Sequence, residues 1–506
     1  MKRVLSVATG ILMVLSLAPA HATAAAETPT YNQDVGPILL SNCASCHRPN
    51  QIAPMPLLSY KDARPWARAI KAKVASREMP PWFADPRFGE FSNDTSLSTD
   101  EIATISAWVD AGAPEGDGPA PVPPRFSESG WSHPSGLDPD YVIDFPVEWH
   151  IDADGESPNF NLFTPLPLDD VMWVSATEVR PGNLPVTHHI VTRLMNTPPG
   201  MKIGTGPAWS GGPEVDYVLV PDPDADQEEL AATRKARAEA AKEPKDKDAD
   251  EAEDADDFQD PSAAEAGAGF GAYIPGVGAS VVREGHARSI RGDLFDTIVW
   301  NLHYQATGKP ETARPSIGAW LADEEDNTTE HALLLRESTS QGKQLVAPPP
   351  MTPEERAAAG RRNQAGQGLN PLLAPIPPND ANWTVTGFAA FQNDAVINNL
   401  LIHAHLRGRD FTYLLTYPDG REEILLRVPN YSFDWQYQYQ LTEPLQVPAG
   451  STLKLISRYD NSASNRLNPA PQKEVYWSEQ SWDDMFLSLV GYTLVDEVKE
   501  KGTTDE

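Results

Sequence analysis

Cysteine is almost missing. Two in 506 residues allow one disulfide at most, so a disulfide-stapled scaffold is excluded. Positive charge is scarce too: 40 Lys and Arg stand against 72 Asp and Glu, a formal net charge of −32. That balance argues against nucleic acid or an anionic membrane as a partner, since both need basic surface. Beyond the first residues, no stretch approaches the ~18 uninterrupted apolar residues of a spanning helix, so no membrane span is expected in the mature chain. Proline, by contrast, is plentiful: its 48 residues are near twice the ~5% of average usage and favour loops and β-structure over a helical bundle. Hydrophobic residues make up 40% of the chain, enough for real cores, and the length suits about three domains at ~100–200 residues each.

Residues 1–26 read as an export signal. Lys2 and Arg3 supply the positive start, Val4 to Ala18 the apolar stretch, and Ala20-His21-Ala22 a small-residue cleavage site. The expected destination is the periplasm or the outside. A first compact unit spans 28–113, and a Pro/Gly-rich linker over 114–137 opens with Pro114 to Pro124. The texture then turns to β. Tyr431 to Leu441 alternates apolar and polar residues as a half-buried strand does, and Pro418-Asp419-Gly420 reads as a hairpin turn. Residues 222–262 form an acidic insertion whose Asp222 to Asp260 stretch holds 16 acidic and 6 basic residues, a composition that predicts disorder. Val346 to Asp380 reads as a long loop or interdomain connection.

Cys43-Ala44-Ser45-Cys46-His47 has the Cys-x-x-Cys-His spacing of covalent haem attachment, two thiols for the vinyl groups and an adjacent imidazole for the iron. A thioredoxin-like dithiol is the competing reading, but it expects flanking βαβ pattern. The flanks look helical instead: Trp66, Ile70 and Val74 recur at helical spacing, and Ser98 with Glu101 forms a capping box ahead of Ile102, Ile105 and Trp108. The unit resembles a small class I cytochrome c. Met79, in a proline-rich loop after a helix, is favoured as the second iron ligand over Met55, which lies close to His47 in sequence.

Five histidines of the β-rich region fall into three groups: His188-His189, His303, and His403-Ala404-His405. Alternation puts His403 and His405 on one strand face, a ready bidentate grip for a metal. Adjacent His188 and His189 point apart in a regular strand and need a bulge or loop to share an ion. Blue copper requires a thiolate, and both cysteines are committed to the haem; zinc on three histidines and copper on histidine and methionine remain.

Thr187-His188-His189-Ile190, Asn301-Leu302-His303-Tyr304 and His403-Ala404-His405-Leu406-Arg407-Gly408, in this order, resemble the copper type II ascorbate-dependent monooxygenases. These include the peptidylglycine α-hydroxylating and dopamine β-hydroxylating enzymes and their bacterial cytochrome-fused relatives. Arg180 to Asn183, Tyr459 to Ser462 and Trp477 to Met485 support the likeness. It implies two copper ions. His188, His189 and His303 would hold an electron-transferring copper, and His403, His405 and Met485 an oxygen-activating one. Animal members brace these domains with disulfides, which this chain has no spare cysteine to make.

The expected fold is thus multidomain: a small all-α class I cytochrome c domain, then two all-β, jelly-roll-like sandwich copper domains at 138–325 and 326–495, and a tail at 496–506. The expected function is copper-dependent hydroxylation of a C–H bond with O2. Electrons would come from ascorbate or a redox protein through the fused haem c, and the substrate would be a small molecule or peptide. The alternatives are a non-enzymatic copper-binding electron-transfer cytochrome and, third, a zinc hydrolase using His188, His189 and His303.

Overall fold

The computed structural model describes residues 28–154, 159–208, 213–225, 269–275, 277–323, 328–334, 336–338, 375–477 and 481–497. The export segment, nearly all of the acidic insertion and most of 346–380 lie outside the described residues.

Among the described residues the chain is mostly β, with 39% strand against 12% helix. This overturns the expected layout of a separate all-α cytochrome c domain followed by two sandwiches. Helices α1 (Gly36–Asn42), α2 (Tyr60–Ala63), α3 (Ala67–Ala75) and α4 (Thr99–Asp110) are all at the N-terminal end and run only 4 to 12 residues. They gather around Tyr31, Leu39, Ile105 and Trp108 in a small core. Every buried member of that core lies within residues 31–113. The segment after α3 is extended and completes its burial on a β-sheet: Trp82, Phe83 and Phe91 join the core of residues 376–490. Phe91 forms a bridge with Leu441, and Ser92 N–H donates to the Gln440 carbonyl at 2.9 Å.

Four principal sheets carry the strands, as four blades do in a propeller-like arrangement. Their cores merge two by two. The sheet containing Val171–Arg180 and Ser316–Leu321 shares one core with the sheet ordered Phe160–Pro165, Thr297–Tyr304, Thr187–Met195, Gly271–Tyr273. The sheet ordered His331–Leu334, Leu487–Leu494, Ala395–His403, Gln438–Val447 shares another with the sheet containing Gly408–Thr416 and Thr452–Tyr459.

Local signals fare unevenly. The capping box is formed: Ser98 Oγ accepts from Glu101 N–H, and the Glu101 carboxylate accepts from Ser98 N–H. The hairpin at Pro418-Asp419-Gly420 is present, with Gly420 at φ +86° where a Cβ would be strained. Trp66 stands outside the core, 46% exposed, because α2 and a 3-10 turn precede α3 and rotate it away. The alternation over 431–441 does not make a strand throughout; residues 431–437 turn, and the strand begins at Gln438. The first part of the expected linker is also tied down. Tyr31 N–H and the Trp108 indole N–H donate to the Pro114 carbonyl at 3.0 and 2.9 Å, and Asn32 N–H donates to that of Glu115.

Candidate metal centre

Strands Thr187–Met195 and Thr297–Tyr304 pair antiparallel, with His189 opposite His303 and the next partners Thr187 and Tyr304. His188 is skipped, the extra residue of a β-bulge. The bulge cancels the alternation that would send adjacent side chains to opposite faces. Ring centroids are therefore 5.4 Å (His188–His189), 5.0 Å (His188–His303) and 4.9 Å (His189–His303) apart. One nitrogen from each of the three lies within 4.8 Å of the others.

The neighbouring amides select which nitrogens face inward. Asn301 Nδ2 donates to Asn161 Oδ1 at 2.9 Å, which turns Asn301 Oδ1 toward His189 Nε2 at 3.2 Å. His189 therefore protonates at Nε2 and keeps its lone pair on Nδ1. That atom stands 3.2 Å from His188 Nδ1. Two imidazoles bonded to one ion at ~2.0–2.1 Å have this separation when they subtend about 100°, so the pair fits a shared metal. His188 Nε2 is buried and has no hydrogen-bond partner among the described residues.

The second group grows from the end of strand Ala395–His403. The Tyr431 hydroxyl donates to the Ala404 carbonyl at 2.6 Å and accepts from Ala404 N–H at 3.0 Å, pinning the residue between the two histidines. The His403 and His405 rings lie 5.1 Å apart. Gln436 Nε2 donates to the Phe433 carbonyl at 2.8 Å, so its Oε1 faces His403 Nδ1 and leaves His403 Nε2 as the free ligand atom. Asp484, fully buried, accepts from three backbone N–H groups at 2.8–2.9 Å: those of His405 and Met485 at Oδ1 and that of Arg407 at Oδ2. His403, the last residue of its strand, pairs with Leu487.

The two groups meet. Phe433 stacks on His188 at 4.3 Å and touches His405 edge-on at 5.6 Å. Burial holds His189 well below the usual imidazole range, aided by His303 and His188 and also by His403 and His405. His405 is depressed in the same way, by burial first, then His403, His303 and His188. Burial lowers His403 to about 4. Burial lowers His188 as well, so these four are neutral near pH 7, the form that ligates metals.

At the N-terminal unit, Cys43, Cys46 and His47 share one turn after α1, with His47 N–H donating to the Cys43 carbonyl at 2.8 Å. His47 Nδ1 donates to the Met55 carbonyl at 3.0 Å. This fixes the tautomer and presents Nε2 outward, the arrangement an iron-ligating imidazole needs. Met55 N-terminal backbone thus stands behind the imidazole. Burial pushes both thiols up, Cys43 to about 12. A redox dithiol needs the opposite shift, and no regular strand flanks the motif, so the thioredoxin-like reading loses its support. Met79 follows α3 and is half-buried.

No family model and no curated protein matches this chain. Among solved structures, it is similar to PNGF-II at 8% identity, over 70% of this chain and 65% of that one, with a TM-score of 0.23. Procruciferin, an 11S globulin from Brassica napus, is 9% identical over 71% and 84%, with a TM-score of 0.12. Oxalate decarboxylase of Bacillus subtilis is 8% identical over 75% and 81%, with a TM-score of 0.11. Likenesses this distant carry no argument about fold or function.

The structure brings together His188, His189 and His303 and places His403 and His405 beside them across Phe433; of Met485 it fixes the backbone, whose N–H donates to Asp484 and whose carbonyl accepts from the Tyr459 hydroxyl. Sequence reasoning missed Phe433, Gln436 and Asp484 as parts of the site. Asp484 had a signal in its place just before Met485. Phe433 and Gln436 had none, since an alternating run gave no hint of the turn at 431–437.

Proposed function

We propose that this chain is an exported copper-dependent monooxygenase with a covalently attached haem. The observation that carries the reading is the bulge at His188, which gathers three imidazoles around one point and sets them against a second histidine pair across Phe433. His188, His189 and His303 would hold one copper, and His403 and His405, with Met485 as the soft thioether, a second. Cys43, Cys46 and His47 would hold the haem, with Met79, favoured over Met55, as the second iron ligand. Bound copper would supply the one-electron chemistry by which O2 delivers one oxygen atom into a C–H bond, and bound haem the reducing equivalents.

The chain's own groups prepare that chemistry. Asn301 and Gln436 keep one lone pair of His189 and of His403 directed at the ion. Asp484 and Tyr431 lock the backbone around His405, so its ring does not wander when a ligand arrives. Phe433 fills the space between the groups and excludes water there.

A purely electron-transferring copper protein would use the same ligands but would form no oxygenated product. A zinc hydrolase would need three histidines and leave His403 and His405 without a role.

The test is metal quantification on haem-loaded protein, with His303→Ala and Met485→Ala alongside. Two coppers in the parent and one in each variant are expected; unchanged copper in both would sink the assignment. Consumption of O2 coupled to a hydroxylated product separates the oxygenase from the electron carrier.

A further inference from the structure

The segment after α3 is docked beside the histidine centre, with Trp82 against two tyrosines that follow Gln436 in the chain. Trp82, three residues beyond Met79, packs on Tyr437 at 5.4 Å and Tyr439 at 5.1 Å, and Phe91 packs on Tyr439 at 5.4 Å. The contact is held in register by the backbone. Ser92 N–H donates to the Gln440 carbonyl and Thr442 N–H to that of Glu90, both at 2.9 Å. Asn93 donates to the Gln438 carbonyl at 2.7 Å and accepts from Gln440 N–H at 3.0 Å. Asp85 N–H adds a bond to the Arg427 carbonyl at 2.8 Å. An interface with this many directed bonds fixes distance as a flexible tether does not.

Tyr437 is the residue where this interface meets the metal centre. It precedes Tyr439 on the contact face, and its chain neighbour Gln436 bonds His403 through its side-chain amide. From Trp82 to the His403 ring the connection is one ring contact, the covalent path through the Tyr437 and Gln436 side chains and the peptide bond between them, and one hydrogen bond. Burial pushes the Tyr437 hydroxyl up and the Cys46 sulfur adds to the effect, so the haem motif lies within electrostatic reach of the same ring. Cys46 acts in the same way on Tyr273, in the strand beside that of His189.

We propose that Tyr437 is the coupling residue through which an electron passes from the haem at Cys43, Cys46 and His47 to the copper at His403 and His405. The proposal rests on the function assigned above. One electron moves: the iron goes from ferrous to ferric and the copper from cupric to cuprous, with no bond made or broken. A one-electron donor such as ascorbate or a reduced flavin refills the haem.

The experiment uses the full chain loaded with haem and copper. A photogenerated flavin semiquinone reduces the haem in a pulse, and haem absorbance then follows its reoxidation by copper. Tyr437→Leu should slow reoxidation about tenfold, while Tyr437→Phe, which keeps the ring, stays near the parent rate. Haem potential and copper content should not change, which separates coupling from structure. If Tyr437→Leu disturbs copper content, Trp82→Leu carries the same test from one ring further out. Parent-rate reoxidation in Tyr437→Leu and Trp82→Leu, or slowing confined to Tyr273→Leu, overturns the route and leaves the function standing. No reoxidation in the copper-loaded parent overturns the haem–copper reading itself, and the route with it.

Discussion

Phe433 lies against His188 with ring centroids 4.3 Å apart and planes 27° from parallel, although His188 sits in a strand of one sheet pair and Phe433 in the turn that leads into a strand of the other. The ring also meets His405 on its edge. One buried side chain therefore holds two histidine groups in a common arrangement. Phe433→Ala should cost about 3–5 kcal/mol of stability, the usual penalty for truncating a buried phenylalanine. Chemical denaturation of the metal-free protein measures it. A loss well under 1 kcal/mol would mean that the ring is not packed as described.

Gln436 fixes the tautomer of His403 by accepting its Nδ1 proton. Gln436→Leu removes that acceptor and nothing that would touch the metal. Copper affinity at this group should fall about 10–100-fold, the typical effect of losing a partner behind a ligating histidine. Competition against a chelator of known affinity reads the change; an unaltered affinity would refute the role.

Asp484 accepts three backbone N–H groups while fully buried. Asp484→Ala leaves those donors without a partner, at a cost of about 1–3 kcal/mol for each that water does not reach. The melting temperature should drop and copper bound at His403 and His405 should become labile. Copper at His188, His189 and His303 should persist.

Acid should destabilise the metal-free protein from pH 6.5 downward. Unfolded imidazoles take up protons below their ordinary value of 6.5, whereas folded His403 stays neutral to about 4. Burial holds His189 and His405 lower still. The unfolded chain therefore binds more protons in this window, and stability falls with pH. Asp484 works the other way. Burial raises it to about 6 from an ordinary 3.8, so it adds stability as pH falls between those values. One carboxyl against several imidazoles leaves a net loss. Melting temperatures of metal-free protein across pH 7 to 4 should decline; a flat profile would contradict the burial of these rings.

Cys43→Ser and Cys46→Ser should each weaken covalent haem attachment, and the double variant should abolish it. Haem staining after denaturing electrophoresis decides the matter. Haem that stays bound to the denatured double variant would remove the motif from the account.

The site was partly legible because ligand type is written locally. The capping box at Ser98 marks the start of α4, and Cys-x-x-Cys-His forms a single turn after α1; the strand expected to carry His403 and His405 on one face ends at His403, with His405 beyond it. The need for a bulge at His188 was also readable, since strand alternation forbids adjacent histidines from sharing an ion. What the alternation over 431–441 concealed was a turn. Within 431–437 Phe433 and the polar Gln436 are buried while Tyr431, Trp435 and Tyr437 are half-buried, none of them in a strand, and period alone does not distinguish this from a strand.

The sequence by itself determined which side chains are available for chemistry. Two cysteines placed beside His47 leave none for disulfides or blue copper, and histidine and methionine remain as soft ligands. Tertiary structure alone decided how those groups stand toward one another. The N-terminal helices close a small core of their own, while the segment 82–93 docks on the strand Gln438–Val447 beside the histidine centre. Phe433 joins two sheet pairs far apart in the chain, and such long-range contacts depend on how sheets pack, which no local pattern records.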